Sequence, residues 1–356
     1  MFKNDIPYND LPLLPGKFNY NKVEFLKLAI KATGELEKLN GLMHLIPNKN
    51  ILISPLLIKE SVESSAIENI NTTTIKVLQS KALGNDKALG PEKEVLHYHN
   101  AILQGFDQLK KYNGIGYNFL VQLQSIIEPN KTGVRKLPGT VIANGLGEVL
   151  YTPPSGKENI DLLLKNLEDF INNFDDDIDA LVKMPVIHYQ FESIHPFYDG
   201  NGRTGRILNV LYLVLTKKLD FPVLFLSEYI NKTKSTYYGL LNKTTQYGDY
   251  SDFIIYLLEG IIHQANDTGK KILKIKKLMK NTESQISHLN MDYYKLTILL
   301  FSEPFLTLHK MQTELGIGKR TVIRYIQKLE ENNIVSSLKV GKNKLIYIPE
   351  FIQLLD

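Results

Sequence analysis

Residues 195–206 read His195-Pro196-Phe197-Tyr198-Asp199-Gly200-Asn201-Gly202-Arg203-Thr204-Gly205-Arg206. This one stretch holds a base, an acid, a glycine-flanked turn and two arginines. Each type answers a need of phosphate chemistry. A neutral imidazole can take a proton near neutral pH. A carboxylate can hold a divalent cation. Small residues let backbone N–H groups approach an anion, and guanidinium forks grip phosphate oxygens. The segment therefore reads as a phosphoryl- or nucleotidyl-transfer site.

The flanks predict how the segment is built. Leu181, Met184, Ile187, Phe191 and Ile194 recur at steps of three and four, which is a helical stripe. Beyond the motif, Ile207, Leu208, Val210, Leu211, Leu213 and Val214 predict a second helix, apolar nearly all round and so buried. Pro196 and the Asp-Gly-Asn-Gly run interrupt the pattern between them. The expected unit is helix, short loop, helix. Backbone donors of Gly200, Asn201 and Gly202 then lie at a helix N-terminus, where unpaired N–H groups and the dipole favour an anion. Arg203 and Arg206, three apart, share one face of that helix.

Two look-alike motifs fail. Gly200, Gly202 and Gly205 satisfy the dinucleotide spacing G-x-G-x-x-G, but that fingerprint needs a preceding strand and here a helix precedes it. Gly318-Lys319 lacks the rest of a P-loop, with Arg320 in place of Ser or Thr and Thr313 in place of the first glycine. A plain helix-capping turn accounts for Asp199 and the glycines. It leaves the histidine and the two arginines unexplained.

The motif is similar, without a gap, to the signature of the Fic family, His-x-Phe-x-Asp/Glu-Gly-Asn-Gly-Arg-x-x-Arg. The form resembles that of the protein adenylyltransferases, which move AMP from ATP to a hydroxyl of a target protein. The resemblance implies that His195 deprotonates a Ser, Thr or Tyr hydroxyl and that Asp199 holds Mg²⁺. It implies that Gly200, Asn201 and Gly202 cradle the phosphates, the Asn201 side chain adding a donor, with Thr204 and Gly205 in the same ATP-binding run. Arg203 and Arg206 would neutralise the leaving pyrophosphate. Phe197 and His188 read as core residues. A rival within the same fold is a phosphotransferase; the intact Gly200–Arg203 run favours attack at the α-phosphate.

Composition agrees with a multi-domain globular chain: 356 residues, 43% hydrophobic, 22% charged. The absence of cysteine excludes disulfides, thiolate catalysis and cysteine zinc sites. With no signal-peptide pattern, a reducing cytoplasm is expected, bacterial by the resemblance. No apolar run approaches the roughly 18 residues of a membrane span, so no membrane partner is expected. A net charge of +4 is too mild to argue for nucleic acid by itself.

The remaining segments give four expected regions: 1–95, a catalytic core at 96–265, a linker helix at 266–290 and a terminal domain at 291–356. In the first, helices are predicted from Val23 to Leu42 and from Ile58 to Ile70. The second of these carries Ser64, Glu68 and Asn69, which match the inhibitory pattern Ser/Thr-x-x-x-Glu-Gly/Asn of many Fic proteins. The resemblance implies that Glu68 pairs with Arg206 and displaces a phosphate of ATP. In the core, β-rich runs from Thr140 to Ala143 and Glu148 to Tyr151 flank an Asn-Gly-Leu-Gly turn and predict a hairpin. In the family such a flap aligns the target segment, here through Thr140, Val141, Ile142 and Ala143. Tyr238 is the expected adenine contact, with Thr245 or Gln246 as alternatives.

Six lysines at 266–280 alternate with apolar residues, as on a solvated linking helix. From Met291 onward the pattern is helix, helix, turn, helix and hairpin, a winged helix resembling those appended to many Fic proteins. It would bind DNA or protein. Lys319, Arg320, Arg324 and Lys328 lie on its recognition helix and Lys342 and Lys344 on its wing, but nine basic against seven acidic residues is a thin surplus. The expected fold is mainly α: a Fic-type helical core with a β-hairpin flap, plus a C-terminal winged-helix domain. ATP and Mg²⁺ are the expected ligands, and the partner is a target protein with an exposed hydroxyl.

Overall fold

Apolar stripes at helical spacing, stopped by glycine and asparagine in left-handed conformations, build most of this chain. The computed structural model describes residues 3–45, 50–84, 88–143, 145–289 and 291–355. In chain order the helices are α1 (Val23–Met43), α2 (Asn50–Ile67), α3 (Thr74–Leu83), α4 (Gly90–Tyr112) and α5 (Tyr117–Ile127). The hairpin β1 (Ile142–Ala143) and β2 (Val149–Tyr151) follows, then α6 (Lys157–Asn172), α7 (Ala180–Ile194), α8 (Asn201–Leu215), α9 (Leu226–Lys232) and α10 (Lys234–Tyr247). The long α11 (Ser251–Ser287) leads to α12 (Tyr293–Ser302), β3 (Leu306–Thr307), α13 (Leu308–Leu315) and α14 (Lys319–Glu331). Strands β4 (Ser336–Val340) and β5 (Asn343–Tyr347) and helix α15 (Pro349–Leu355) close the chain. No described helix is long and apolar enough to cross a membrane.

The chain forms two compact units, Met1–Glu37 with His97–Ala265, and Lys38–Leu96 with Asn266–Asp356. In the first, α7 and α8 are the centre, and α5 and α6 pack against them. Every α8 residue from Arg203 to Leu213 is buried, which is why the run from Ile207 onward is apolar nearly all round. Asp179 caps α7, its carboxylate accepting from the Leu181 N–H at 2.8 Å. His188 on α7 is fully buried; its Nε2 lies 2.8 Å from the Tyr237 hydroxyl and its ring stacks on Phe253. It is a core histidine, as its apolar setting predicts.

The hairpin is shorter than its β-rich sequence suggests. Ile142 pairs with Tyr151 and Ala143 with Val149, and the register shifts between the two pairs. Thr140 and Val141 precede the ladder, next to Gly139 at φ 101°. Proline at positions 153 and 154 ends pairing on the other side, having no N–H to donate. Asn144, the first residue of the expected turn, lies outside the described residues.

In the second unit, strands β3, β5 and β4 form an antiparallel sheet in that order. β4 and β5 pair from Ser336–Tyr347 to Val340–Asn343 around a tight turn. Caps punctuate the helices: Thr307 accepts from Lys310 N–H at 3.1 Å to start α13, and Gly316 at φ 69° ends it. The sheet, α12–α14 and α15 surround Leu296, Phe301, Val322, Ile326, Leu345 and Phe351, all buried. Helices α12 and α15 pack on α2, and β3 and β5 on α3.

Helix α2 begins earlier and ends sooner than its pattern predicts. It takes in the apolar run before Ile58 and stops at Ile67, leaving Glu68 and Asn69 in a turn. The reason is local. Asn69 adopts φ 64°, and the Ile70 N–H returns to the Ser65 carbonyl at 3.0 Å, a six-to-one closure typical of helix ends. Asparagine tolerates the left-handed region better than most side chains.

Candidate active site

The loop between α7 and α8 is built by a few specific contacts. His195 terminates α7 in a left-handed conformation, φ 47° and ψ 58°, its N–H still bonded to the Phe191 carbonyl. That turn carries the imidazole off the helix axis at the loop entrance. Phe197 is buried beneath the loop. Gly200, at φ 80°, is the N-cap of α8. The left-handed turn at this position requires glycine. The N-terminus of α8 therefore opens directly after Asp199, with the N–H groups and dipole of a fifteen-residue helix behind it.

The Asn201 side chain does not face a ligand, contrary to its expected part as a phosphate donor. Its Oδ1 accepts from the Phe197 N–H at 2.9 Å and its Nδ2 donates to the Phe197 carbonyl at 2.8 Å. Both ends of the amide are used to close the loop. Thr204 and Gly205 are also turned inward. The Thr204 hydroxyl donates to the Gly200 carbonyl at 2.8 Å. A Cβ on Gly205 would collide with Glu192 and lie 3.0 Å from the Phe191 ring, so Gly205 is where α8 touches α7. Gly200 and Gly202 thus differ from Gly205, which is a packing contact between the two helices.

Asp199 is half-exposed and bonded to the Lys131 ammonium at 2.6 Å. Its carboxyl is pushed up by burial, but the Lys131 bond, the Gly200 N–H at 2.8 Å and the Arg203 charge outweigh this and hold it below the usual carboxylate range. Arg203 is buried and bonded to Glu128 at the end of α5, with Asp199 Oδ1 at 3.6 Å. Arg206 is buried on the same helix and lies near enough to His188 to disfavour its protonation. Tyr238 sits on α10, 41% exposed, its ring edge-on to Tyr237 at 5.1 Å.

A metal at the loop would find the Asp199 carboxylate, with Glu128 held on Arg203 beside it. Among the described residues no group of three or more His, Asp or Glu side chains is arranged to hold an ion. One carboxylate fits Mg²⁺, which takes one or two carboxylates and completes its shell with phosphates and water. Asp199 would have to exchange Lys131 for it.

Three residues that sequence reading overlooks tie the loop to residues 131–137 and, through Arg135, to the end of the hairpin. Arg135, 1% exposed, donates through Nε to the His195 carbonyl at 2.7 Å and through Nη2 to the carbonyls of Pro154 at 2.5 Å and Ile194 at 3.1 Å. Its own N–H donates to the Pro196 carbonyl at 2.9 Å. Tyr198 accepts at its hydroxyl from the N–H groups of Lys136 and Leu137. Gln124, fully buried, donates to the carbonyls of Lys131 and Asp199 and accepts from the Gly133 N–H. The sole sequence signal is an arginine beside the hairpin; its targets are carbonyls that leave no mark in a sequence.

A histidine at the loop entrance, a helix N-terminus at its exit and two buried guanidinium groups beyond are the elements of the Fic signature, brought together in one place. Family comparison agrees: residues 26–107 match the Fic/DOC family N-terminal model and residues 89–213 match the Fic/DOC family model. The chain belongs to the Fic/DOC family. A protein adenylyltransferase Fic of Nematostella vectensis is 30% identical over 207 residues, 54% of this chain and 44% of that protein. Protein adenylyltransferase fic-1 of Caenorhabditis elegans is 33% identical over 108 residues, 30% of this chain and 20% of its own. The chain spans less than half the length of these curated relatives. A solved Fic family protein from Desulfovibrio desulfuricans shares the fold with a TM-score of 0.56 at 19% identity, covering 90% of this chain and 96% of that one. Residues 134–508 of Fic-1 from C. elegans give a TM-score of 0.52 at 18% identity, over 71% of this chain and 73% of that one.

Proposed function

We propose that this protein transfers AMP from ATP to a hydroxyl side chain of a target protein. The observation that carries the reading is the joint placement of His195 at the C-terminus of α7 and an open, glycine-capped N-terminus of α8 with Arg203 and Arg206 in its first turns. His195 takes the proton of the attacking hydroxyl. The oxygen forms a bond to the α-phosphorus of ATP, the α–β bridging bond breaks, and pyrophosphate leaves with the electron pair. Backbone N–H groups of Gly200, Asn201 and Gly202 receive phosphate oxygens, and Arg203 and Arg206 offset the charge gathering on the leaving group. Arg203 exchanges Glu128 for a phosphate oxygen when ATP enters. Asp199 would hold Mg²⁺, which neutralises phosphate charge when bound. The hairpin β1–β2 is the surface on which the target segment adds as an extended strand. Tyr238 borders the adenine.

The same reading includes a restraint. Ser64, Glu68 and Asn69 carry the inhibitory pattern, and the Glu68 carboxylate takes Arg206 in place of a phosphate. Asn69 supports this, because its left-handed turn is what puts Glu68 outside α2. The C-terminal domain is a winged helix, to judge from the order α12, β3, α13, α14, β4, β5 and the paired wing strands.

Incubation with α-labelled and γ-labelled ATP tests the reaction. Transfer of the α-label to protein supports AMP transfer; transfer of the γ-label alone replaces it with a phosphotransferase. Glu68→Gly is expected to raise α-label transfer well above wild type, and equal rates remove the restraint. His195→Ala is expected to abolish transfer with ATP binding retained.

A further inference from the structure

The second unit contains a cleft of about 1020 Å³ that the catalytic reading does not use. Its walls come from four places: the end of α3, the α12–β3 connection, α13 with the start of α14, and the tip of the β4–β5 hairpin. Five lysines line it, Lys81, Lys310, Lys319, Lys342 and Lys344, with His309, against Glu303 and Glu314. Thinly spread over the whole domain, the basic surplus is concentrated here. Both glutamates are already engaged, Glu314 with Lys310 at 2.9 Å and Glu303 with Lys81 at 3.8 Å. Lys319 and Lys342 are exposed and have no ion pair among the described residues.

Lys319, in the cleft wall, is also the first residue of α14. Val322, Ile326 and Leu329 of α14 are buried, so the opposite stripe is outside, and Arg320, Ile323, Arg324 and Gln327 are exposed along it. That set of side chains suits base edges in a major groove. Arginine bonds guanine, glutamine bonds adenine, and an aliphatic group meets the thymine methyl. A nucleotide-sized anion would leave this stripe unused. Double-stranded RNA is disfavoured because its deep, narrow major groove does not admit a helix.

We propose that α14, the hairpin tip and the end of α3 together form a site for double-stranded DNA, with Lys81, Lys319 and Lys342 on phosphates. Lys81 gives the site a second property. Its ammonium now donates to the Ser54 hydroxyl of α2 at 2.6 Å and reaches Glu303 after α12. A DNA phosphate competes for that ammonium and loosens the tie between α2 and the C-terminal domain. Since α12 and α15 also pack on α2, duplex binding is sensed along the helix that ends at Ile67, just before Glu68. This regulatory consequence rests on the inhibitory role proposed for Ser64–Asn69; the binding site does not.

Fluorescence anisotropy of the full chain with a labelled duplex of about two helical turns tests the site. Neutralising about three phosphates predicts a loss of affinity of roughly fortyfold between about 50 and about 200 mM salt. Arg320→Ala with Arg324→Ala, and Lys319→Ala with Lys342→Ala, change exposed residues and should each weaken binding at least about tenfold. Lys81→Ala should weaken it about threefold. No binding at low salt, or binding indifferent to both double substitutions, overturns the site. Equal competition by inorganic pyrophosphate at matched phosphate concentration makes it a small-anion site and overturns the duplex. Hydrogen exchange reads the coupling separately: duplex should speed exchange of α2 amides at 57–67 in wild type but not in Lys81→Ala. Bound duplex with unchanged α2 exchange refutes the coupling. If α2 responds but Glu68→Gly does not raise AMP transfer, the failure lies in the inhibition reading.

Discussion

Arg135 holds the carbonyl of His195 at 2.7 Å, fixing the backbone of the proposed base from outside its own helix. The same guanidinium binds the carbonyl of Pro154, which follows β2. One buried cation thus sets the hairpin and the α7–α8 loop in a common frame. Burial lowers its pKa, yet an arginine stays charged throughout the accessible range.

Arg135→Ala removes donors from three buried carbonyls and is expected to lower unfolding free energy by about 3 kcal/mol. Because Arg135 acts through the loop, kcat for AMP transfer should fall at least about tenfold with the ATP dissociation constant nearly unchanged. Arg135→Lys should restore stability in part and kcat little, since an ammonium cannot reproduce the planar fork. Denaturant titration and single-turnover kinetics read the two effects. An equal rise in ATP dissociation constant would make Arg135 a ligand contact instead.

Gly205→Ala separates packing from ligand binding. A methyl group there meets Glu192 and the buried Phe191 ring, so stability should drop by about 1–3 kcal/mol. ATP affinity, measured below the melting transition, should stay within about twofold of wild type, a change of under half a kcal/mol. Large loss of affinity with unchanged stability would restore Gly205 to the phosphate site.

His188 predicts an acid sensitivity. Burial first, and the nearby Arg206 charge second, push its pKa down to about 3. The unfolded chain therefore binds this proton at a higher pH than the folded one. Its contribution is fully present above about 6.5 and lost as pH falls towards the folded value, at up to about 1.4 kcal/mol per pH unit. His188→Gln keeps a partner for the Tyr237 hydroxyl and cannot titrate. Its stability should fall less steeply between about pH 6.5 and about pH 4.5 than that of wild type. Parallel slopes would refute the assignment.

Much of the architecture is legible as pattern. Stripes at three and four predict α7 and α8, and the glycine-rich break between them predicts the loop. Strands β4 and β5 and the helices before them are likewise visible. Strand β3 and helix α15 escape notice because a two-residue strand and a seven-residue helix carry too little periodicity. The early stop of α2 was legible in principle, since it depends on one asparagine. The inward roles of Asn201, Thr204 and Gly205 were not, because their motif positions suit ligand and loop equally.

What the sequence determined by itself is the chemistry available at residues 195–206 and the helices on either side. Both follow from local rules: residue type, spacing and turn propensity. The tertiary structure decided which of those groups are used to hold the site together and which face outward. It brought Arg135 to His195 across 60 positions and Lys131 to Asp199 across 68. Such pairings arise from packing of distant helices around α8, where a buried donor must find an acceptor wherever the fold supplies one.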